Sequence, residues 1–159
     1  MGLAFTRRGQ SNRVERHGKS FQSLTEADFY SALLNVKIIF EWQAEFALQQ
    51  GVPKNPKILL LSGAGVHKIK CTVDFVFKSP DGLLCIVDTK GSKKYATERS
   101  VMAYHLLKGL ILRSESLSLP PEKTKILMID RKEVTTLLKL SLSADKNAFW
   151  TFFNKITPF

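Results

Sequence analysis

Asp74, Asp88 and Lys90 are the residues whose types and spacing could do chemistry, and the stretch KIKCTVDFVFKSPDGLLCIVDTK (68–90) shows how they could meet. Two runs of β-branched, aromatic and aliphatic residues flank Ser79-Pro80-Asp81-Gly82, so the segment reads as a β-hairpin. Pro80 and Asp81 suit the corners of a type I turn, and Gly82 supplies the left-handed residue of the bulge that follows. Pairing Ser79 with Leu83 sets Asp74 opposite Asp88 and Thr72 opposite Lys90. Residues directly opposed across strands hold their Cβ atoms about 4.5–5.5 Å apart. Alternation along each strand then puts Asp74, Asp88 and Lys90 on one face. Cys71, Val73, Phe75 and Phe77 share the other face with Cys85 and Val87, which is apolar enough to be core. Two carboxylates that close repel unless a proton or a cation lies between them. A hard, oxygen-ligated divalent metal such as Mg²⁺ is the economical occupant. The plain alternative is a strand-end carboxylate with a solvated lysine beside it. The matched aspartates, the terminating Gly91 and the apolar hairpin favour a site.

The elements that must position this trio can be read around it. Ser23 and Glu26 have the spacing of a capping box, and Leu24, Ala27, Tyr30, Leu33 and Leu34 supply an apolar helical stripe ending near Asn35. Residues 37–46 (KIIFEWQAEF) suggest a strand, and GVPKNPK (51–57) a loop. Ile58–Leu61 reads as a short strand, and the glycines at 63 and 65 are no phosphate loop because no Gly-Lys-Ser or Gly-Lys-Thr follows. A helix is expected from Thr97 to Arg113, a strand over Lys125–Ile129, and helices over Glu133–Leu142 and Ala148–Ile156. The aromatic Phe149, Trp150, Phe152 and Phe153 read first as core and second as a dimer interface. The order fits one α/β or α+β domain over 21–159. Residues 1–20 read as a mobile basic arm in which Arg7, Arg8, Arg13 and Arg16 outnumber Glu15; a solvated tail and a phosphate-gripping arm are equally good readings.

Bulk properties narrow the partner. With 24 Lys and Arg against 14 acidic residues among 159, the net charge is +10, which favours a polyanion and above all nucleic acid. No apolar run is long enough to span a membrane, and MGLAFTRRGQ lacks the apolar segment of a signal peptide, so an intracellular, cytoplasmic setting is expected. Cys71 and Cys85 are too few for a disulfide scaffold or a four-ligand zinc site and are expected to be buried thiols. His67 and His105 read as structural. Lys93, Lys94 and Arg99, just after the trio, could grip the DNA backbone.

The pattern Val73-Asp74-Phe75 … Ile86-Val87-Asp88-Thr89-Lys90-Gly91 resembles the PD-(D/E)XK nuclease superfamily, with Val73 where a proline is often found. With the preceding helix, the similarity extends over about residues 22–130. It resembles in particular the phage endonuclease I group of Holliday-junction resolvases and the endonuclease subunit of heteromeric transposases. The resemblance implies a restriction-endonuclease-like core, with a mixed central sheet flanked by helices. It also implies Mg²⁺, replaceable by Mn²⁺, held by Asp74, Asp88 and the Thr89 backbone carbonyl, with Glu26 at a second metal and Lys90 acting on the attacking water. For Glu26 the capping box is an equally good explanation, and both remain open. The activity implied is a DNA endonuclease, structure-specific on branched DNA or Holliday junctions and then a homodimer, with no membrane or small-molecule cofactor. A partner-guided nicking subunit of a transposition or phage DNA-processing complex, and a non-catalytic basic nucleic-acid-binding module, are the competing readings.

Overall fold

The computed structural model describes residues 13–49, 69–92, 98–113 and 121–158. Helix α1 (Leu24–Asn35) begins where Ser23 is extended and its hydroxyl accepts the Glu26 N–H at 3.1 Å. That satisfies one of the donors left over in a first helical turn. The helix ends in a Schellman motif: Lys37 N–H bonds the Leu34 carbonyl at 3.0 Å, and Ile38 N–H bonds the Leu33 carbonyl at 3.2 Å. Lys37 takes the left-handed position with φ +58°. For that reason strand β3 (Phe40–Gln49) starts three residues later than its composition suggests, and Ile39 is left exposed.

Four strands form one sheet in the order β3, β4 (Ile69–Lys78), β5 (Leu84–Thr89) and β6 (Thr124–Ile129). The first three pair antiparallel and β5 pairs β6 in parallel. A parallel pair needs a long crossover, and α2 (Glu98–Arg113) lies within it. On one side, α1, α3 (Arg131–Ser141) and α4 (Lys146–Lys155) pack on Phe75, Phe77, Cys85, Val87, Leu127 and Ile129. On the other, Tyr104, Leu107 and Ile111 of α2 cover Ala44, Cys71, Val73, Ile86, Ile126 and Met128. The fold is therefore mixed α+β, a mixed sheet flanked by helices, as expected. Phe149 and Phe153 are fully buried, and Trp150 and Phe152 pack against the same core.

The β4–β5 turn adopts the geometry its residues dictate. Ser79 N–H bonds the Leu83 carbonyl at 2.8 Å, Gly82 N–H bonds the Ser79 carbonyl at 2.9 Å, and Gly82 has φ +85°. The resulting pairs, Phe77 with Cys85 and Phe75 with Val87, are those the turn predicts. No atom would obstruct a Cβ at Gly82, so Gly82→Ala should cost only the left-handed backbone penalty, about 1–2 kcal/mol. Chemical denaturation should show a lower midpoint with an unchanged slope; an unmoved midpoint would contradict this turn.

Two expectations are corrected. The last part of the expected arm is structured, because β1 (Val14–Arg16) and β2 (Lys19–Phe21) form a hairpin through His17 and Gly18, both at positive φ. Burial holds it down: Phe21 is fully buried, with its ring 5.0 Å from Tyr30 and 5.2 Å from Trp42. Asp28 adds a clip by pairing with Arg16 and, at 2.5 Å, with Arg131. The second correction concerns alternation. Phe75 and Phe77 pack with the α1 side, whereas Val73 and Cys71 pack with the α2 side. Phe40 and Trp42 against Ala44 and Phe46 show the same change in β3. Both strands switch sides between the pairs Trp42–Phe75 and Ala44–Val73, where Gln43 adopts φ +57°. Asp74 sits at that switch, not on a regular face.

Candidate active site

The switch decides where the Asp74 carboxylate goes. Pairing of β4 with β5 runs from Lys78–Leu84 to Phe75–Val87, one residue short of Asp74 and Asp88. Beyond it, Asp74 Oδ2 accepts the Thr89 N–H at 2.7 Å and the Thr89 hydroxyl at 2.6 Å. The carboxylate thus occupies the place of the next ladder bond. β5 continues along β6, with Lys90 N–H on the Ile129 carbonyl at 2.8 Å. Asp88 follows Ile86 toward the α2 side by alternation. Asp74 Oδ2 is thus turned to Thr89 and Asp88 Oδ2 to Lys90, while the two carboxylates stay near enough for the Asp88 charge to raise Asp74.

Asp88 is buried, and Lys90 Nζ lies 2.6 Å from its Oδ2. Lys90 is thus the charged partner of that buried oxygen, and Tyr104 of α2 lies beside it as a further donor. Beside it opens a cavity of about 170 Å³ whose lining includes Lys70, Cys71, Thr72, Asp88, Lys90 and Tyr104. Tyr104, Lys70 and Thr72 were not legible as site residues. Tyr104 belongs to an apolar helical stripe that reads as core, and only the β5–α2–β6 crossover brings it to Asp88.

Electrostatics mark the cluster as short of positive charge. Burial pushes Asp74 up to about 6, the Asp88 charge adds to this, and the Thr89 hydrogen bonds oppose it. Asp88 is also raised, chiefly by burial, against the pull of Lys90, and Glu26 contributes to both shifts. Burial and then the Asp88 charge raise the Cys71 thiol to about 11, so it stays protonated and no nucleophile. Burial likewise raises Cys85 to about 11, and both cysteines are free, as expected.

Glu26 is buried at the start of α1, but its carboxylate is engaged. Oε1 accepts the Trp42 indole N–H and Oε2 the Gln22 N–H, each at 2.8 Å. Among the described residues no three His, Cys, Asp or Glu side chains are grouped to hold one metal ion. Glu26 thus serves as a helix-entry carboxylate that ties α1 to β3, while its charge still acts on both Asp74 and Asp88. Its bond to Gln22, rather than to the Ser23 amide, also departs from a strict capping box.

The donor set still fits a magnesium-like ion. Such an ion usually takes one or two carboxylates and completes its shell with water and phosphate oxygens. Asp74 and Asp88 supply the carboxylates, Thr89 follows Asp88 directly in sequence and binds Asp74, and burial raises both carboxyls, a strain that a cation would relieve.

Among the expected nucleic-acid contacts, Arg13 is exposed, whereas Arg16 is committed to Asp28. Arg99 lies in the first turn of α2. Its side chain, like Arg7, Arg8, Lys93, Lys94 and His67, lies outside the described residues. His105 is exposed. Among the described residues, no helix is long and apolar enough to cross a membrane. Comparison of the chain with protein-family models, curated proteins and solved structures yields no match.

Proposed function

We propose that the protein is a metal-dependent DNA endonuclease that hydrolyses phosphodiester bonds at Asp74, Asp88 and Lys90. The observation that carries this reading is the pair of desolvated carboxylates, Asp88 against Lys90 and Asp74 within electrostatic reach of Asp88. Carboxylates crowded in this way bind cations, and an adjacent lysine adds what hydrolysis of a phosphodiester requires. When bound, the divalent ion would lower the pKa of a coordinated water and draw charge from the scissile phosphate. Asp74, held at one oxygen by Thr89, presents its other oxygen as a fixed ligand. Asp88 offers the oxygen that Lys90 contacts.

Lys90 balances the Asp88 charge, and with a divalent ion held by Asp74 and Asp88 it would be placed to orient the attacking water and offset the phosphate charge. The net charge of +10 supplies the long-range attraction for DNA. Branched DNA is the proposed preferred substrate and a homodimer the proposed active form, because paired cuts across a junction need two active sites.

The test uses purified protein with a four-way junction, a matched linear duplex and Mg²⁺ or Mn²⁺. Wild type should cut the junction at symmetric positions. Lys90→Ala should cut about 10²- to 10⁴-fold more slowly, the range for loss of a positioned proton-transfer group, while binding the junction almost as tightly. Junction binding without cleavage in either metal would leave the non-catalytic module as the answer. Equal cleavage of junction and duplex would remove the branch preference alone.

A further inference from the structure

We infer that Gln43 is a positioning residue that acts through its backbone: its left-handed conformation reverses the faces of β3 and β4 and so aims Asp74 at Thr89. The inference rests on the nuclease reading only for its kinetic consequence.

The structural case is independent of that reading. Gln43 has φ +57°, a region that residues with a side chain rarely occupy. The β3–β4 register is the same on both sides of it, with Trp42 on Phe75 and Ala44 on Val73. No residue has been inserted or lost, yet the packing side changes on both strands at this one step. A strand that kept its alternation would hold Val73 on the same side as Phe75 and Asp74 on the opposite side. Instead Asp74 is freed from either face and turns along the sheet, where it takes the Thr89 amide. Irregularities of this kind re-aim side chains beside active sites, and strained backbone persists where its surroundings hold it.

Gln43 is exposed and lies across the β3–β4 pair from Asp74, so the effect is transmitted by the chain, not by a side-chain ligand. Three substitutions separate backbone from side chain. Glycine enters the left-handed region freely, asparagine tolerates it, and the β-branched valine resists it.

The amide proton of Thr89 reports the aim of Asp74 by NMR without any need for activity. Gln43→Gly and Gln43→Asn should keep its downfield shift and slow exchange, and Gln43→Val should lose both. Cleavage should follow: the glycine and asparagine variants should stay within a few-fold of wild type. Gln43→Val should lose about 100-fold in kcat, the scale for a misplaced reacting group, with KM for DNA little changed. Should Gln43→Val not fold, Gln43→Ala, which disfavours the same conformation more mildly, takes its place with the same signs. Unaltered Thr89 signals in the valine or alanine variant would overturn the inference, as would a glycine variant as impaired as valine. If wild type cleaves nothing but the Thr89 signals behave as stated, the positioning role stands and the nuclease reading falls.

Discussion

Asp88→Asn should abolish cleavage and at the same time make the protein more stable. The loss follows from removing an anionic ligand where several kcal/mol of charge stabilisation are needed, so about 10³-fold or more in rate is expected. The gain follows from burial. Asp88 is 4% exposed, its ionised form is disfavoured chiefly by desolvation, and its charge also raises Asp74. A neutral amide of the same shape removes that repulsion, and Lys90, partly exposed, can return to water. A gain of about 1–2 kcal/mol, or a few degrees in Tm, is expected, the usual trade between a functional charge and stability. A structural Asp88–Lys90 ion pair would give the opposite sign, because breaking such a pair leaves a charge without its partner. Thermal unfolding of the purified variant decides between them.

The second large effect is the coupling of pH to metal through Asp74. Its carboxyl sits at about 6 in the folded protein against an ordinary 3.8. Between those values the folded state keeps a proton that the unfolded chain has released, so stability falls as pH rises from about 4 to 6. For Asp74 alone the fall is roughly 3 kcal/mol, and above pH 6 the penalty persists in full. A divalent cation binds the deprotonated form and should restore what ionisation removes. At a concentration one hundred times its Kd the ion adds about 2.7 kcal/mol, or about 5–11 °C in Tm. The shift should be present at pH 7.5 and nearly absent at pH 4.5. Asp74→Asn should remove the share of the pH dependence between 4 and 6 that Asp74 carries, together with the metal-induced shift. Equal Mn²⁺ stabilisation of wild type and Asp74→Asn would place the ion elsewhere.

Much of this was legible where a residue has one local job. Gly82 could serve only as the left-handed residue of the hairpin turn, so it set the β4–β5 register. Ser23 marked the start of α1 because its hydroxyl has a first-turn amide to satisfy. What escaped the sequence were left-handed positions filled by side chains: His17 in the first hairpin, Lys37 at the end of α1 and Gln43 in β3. Tertiary packing holds these conformations against their local preference, and no pattern in the sequence announces them. Each moved a boundary or a direction. His17 turned an apparent arm into a hairpin, Lys37 delayed β3, and Gln43 took Asp74 off the face that alternation assigns it. Glu26 was visible as a helix-entry residue, but Trp42, its partner from β3, is a tertiary contact that sequence spacing cannot show.

Nicking of supercoiled plasmid tests the central claim most directly. Purified wild type should convert plasmid to open-circular and linear forms in Mg²⁺ or Mn²⁺, and EDTA should stop it. Asp88→Asn and Asp74→Asn proteins, folded by circular dichroism, should leave the plasmid supercoiled. Cleavage that survives EDTA, or an Asp88→Asn protein as active as wild type, would contradict the account.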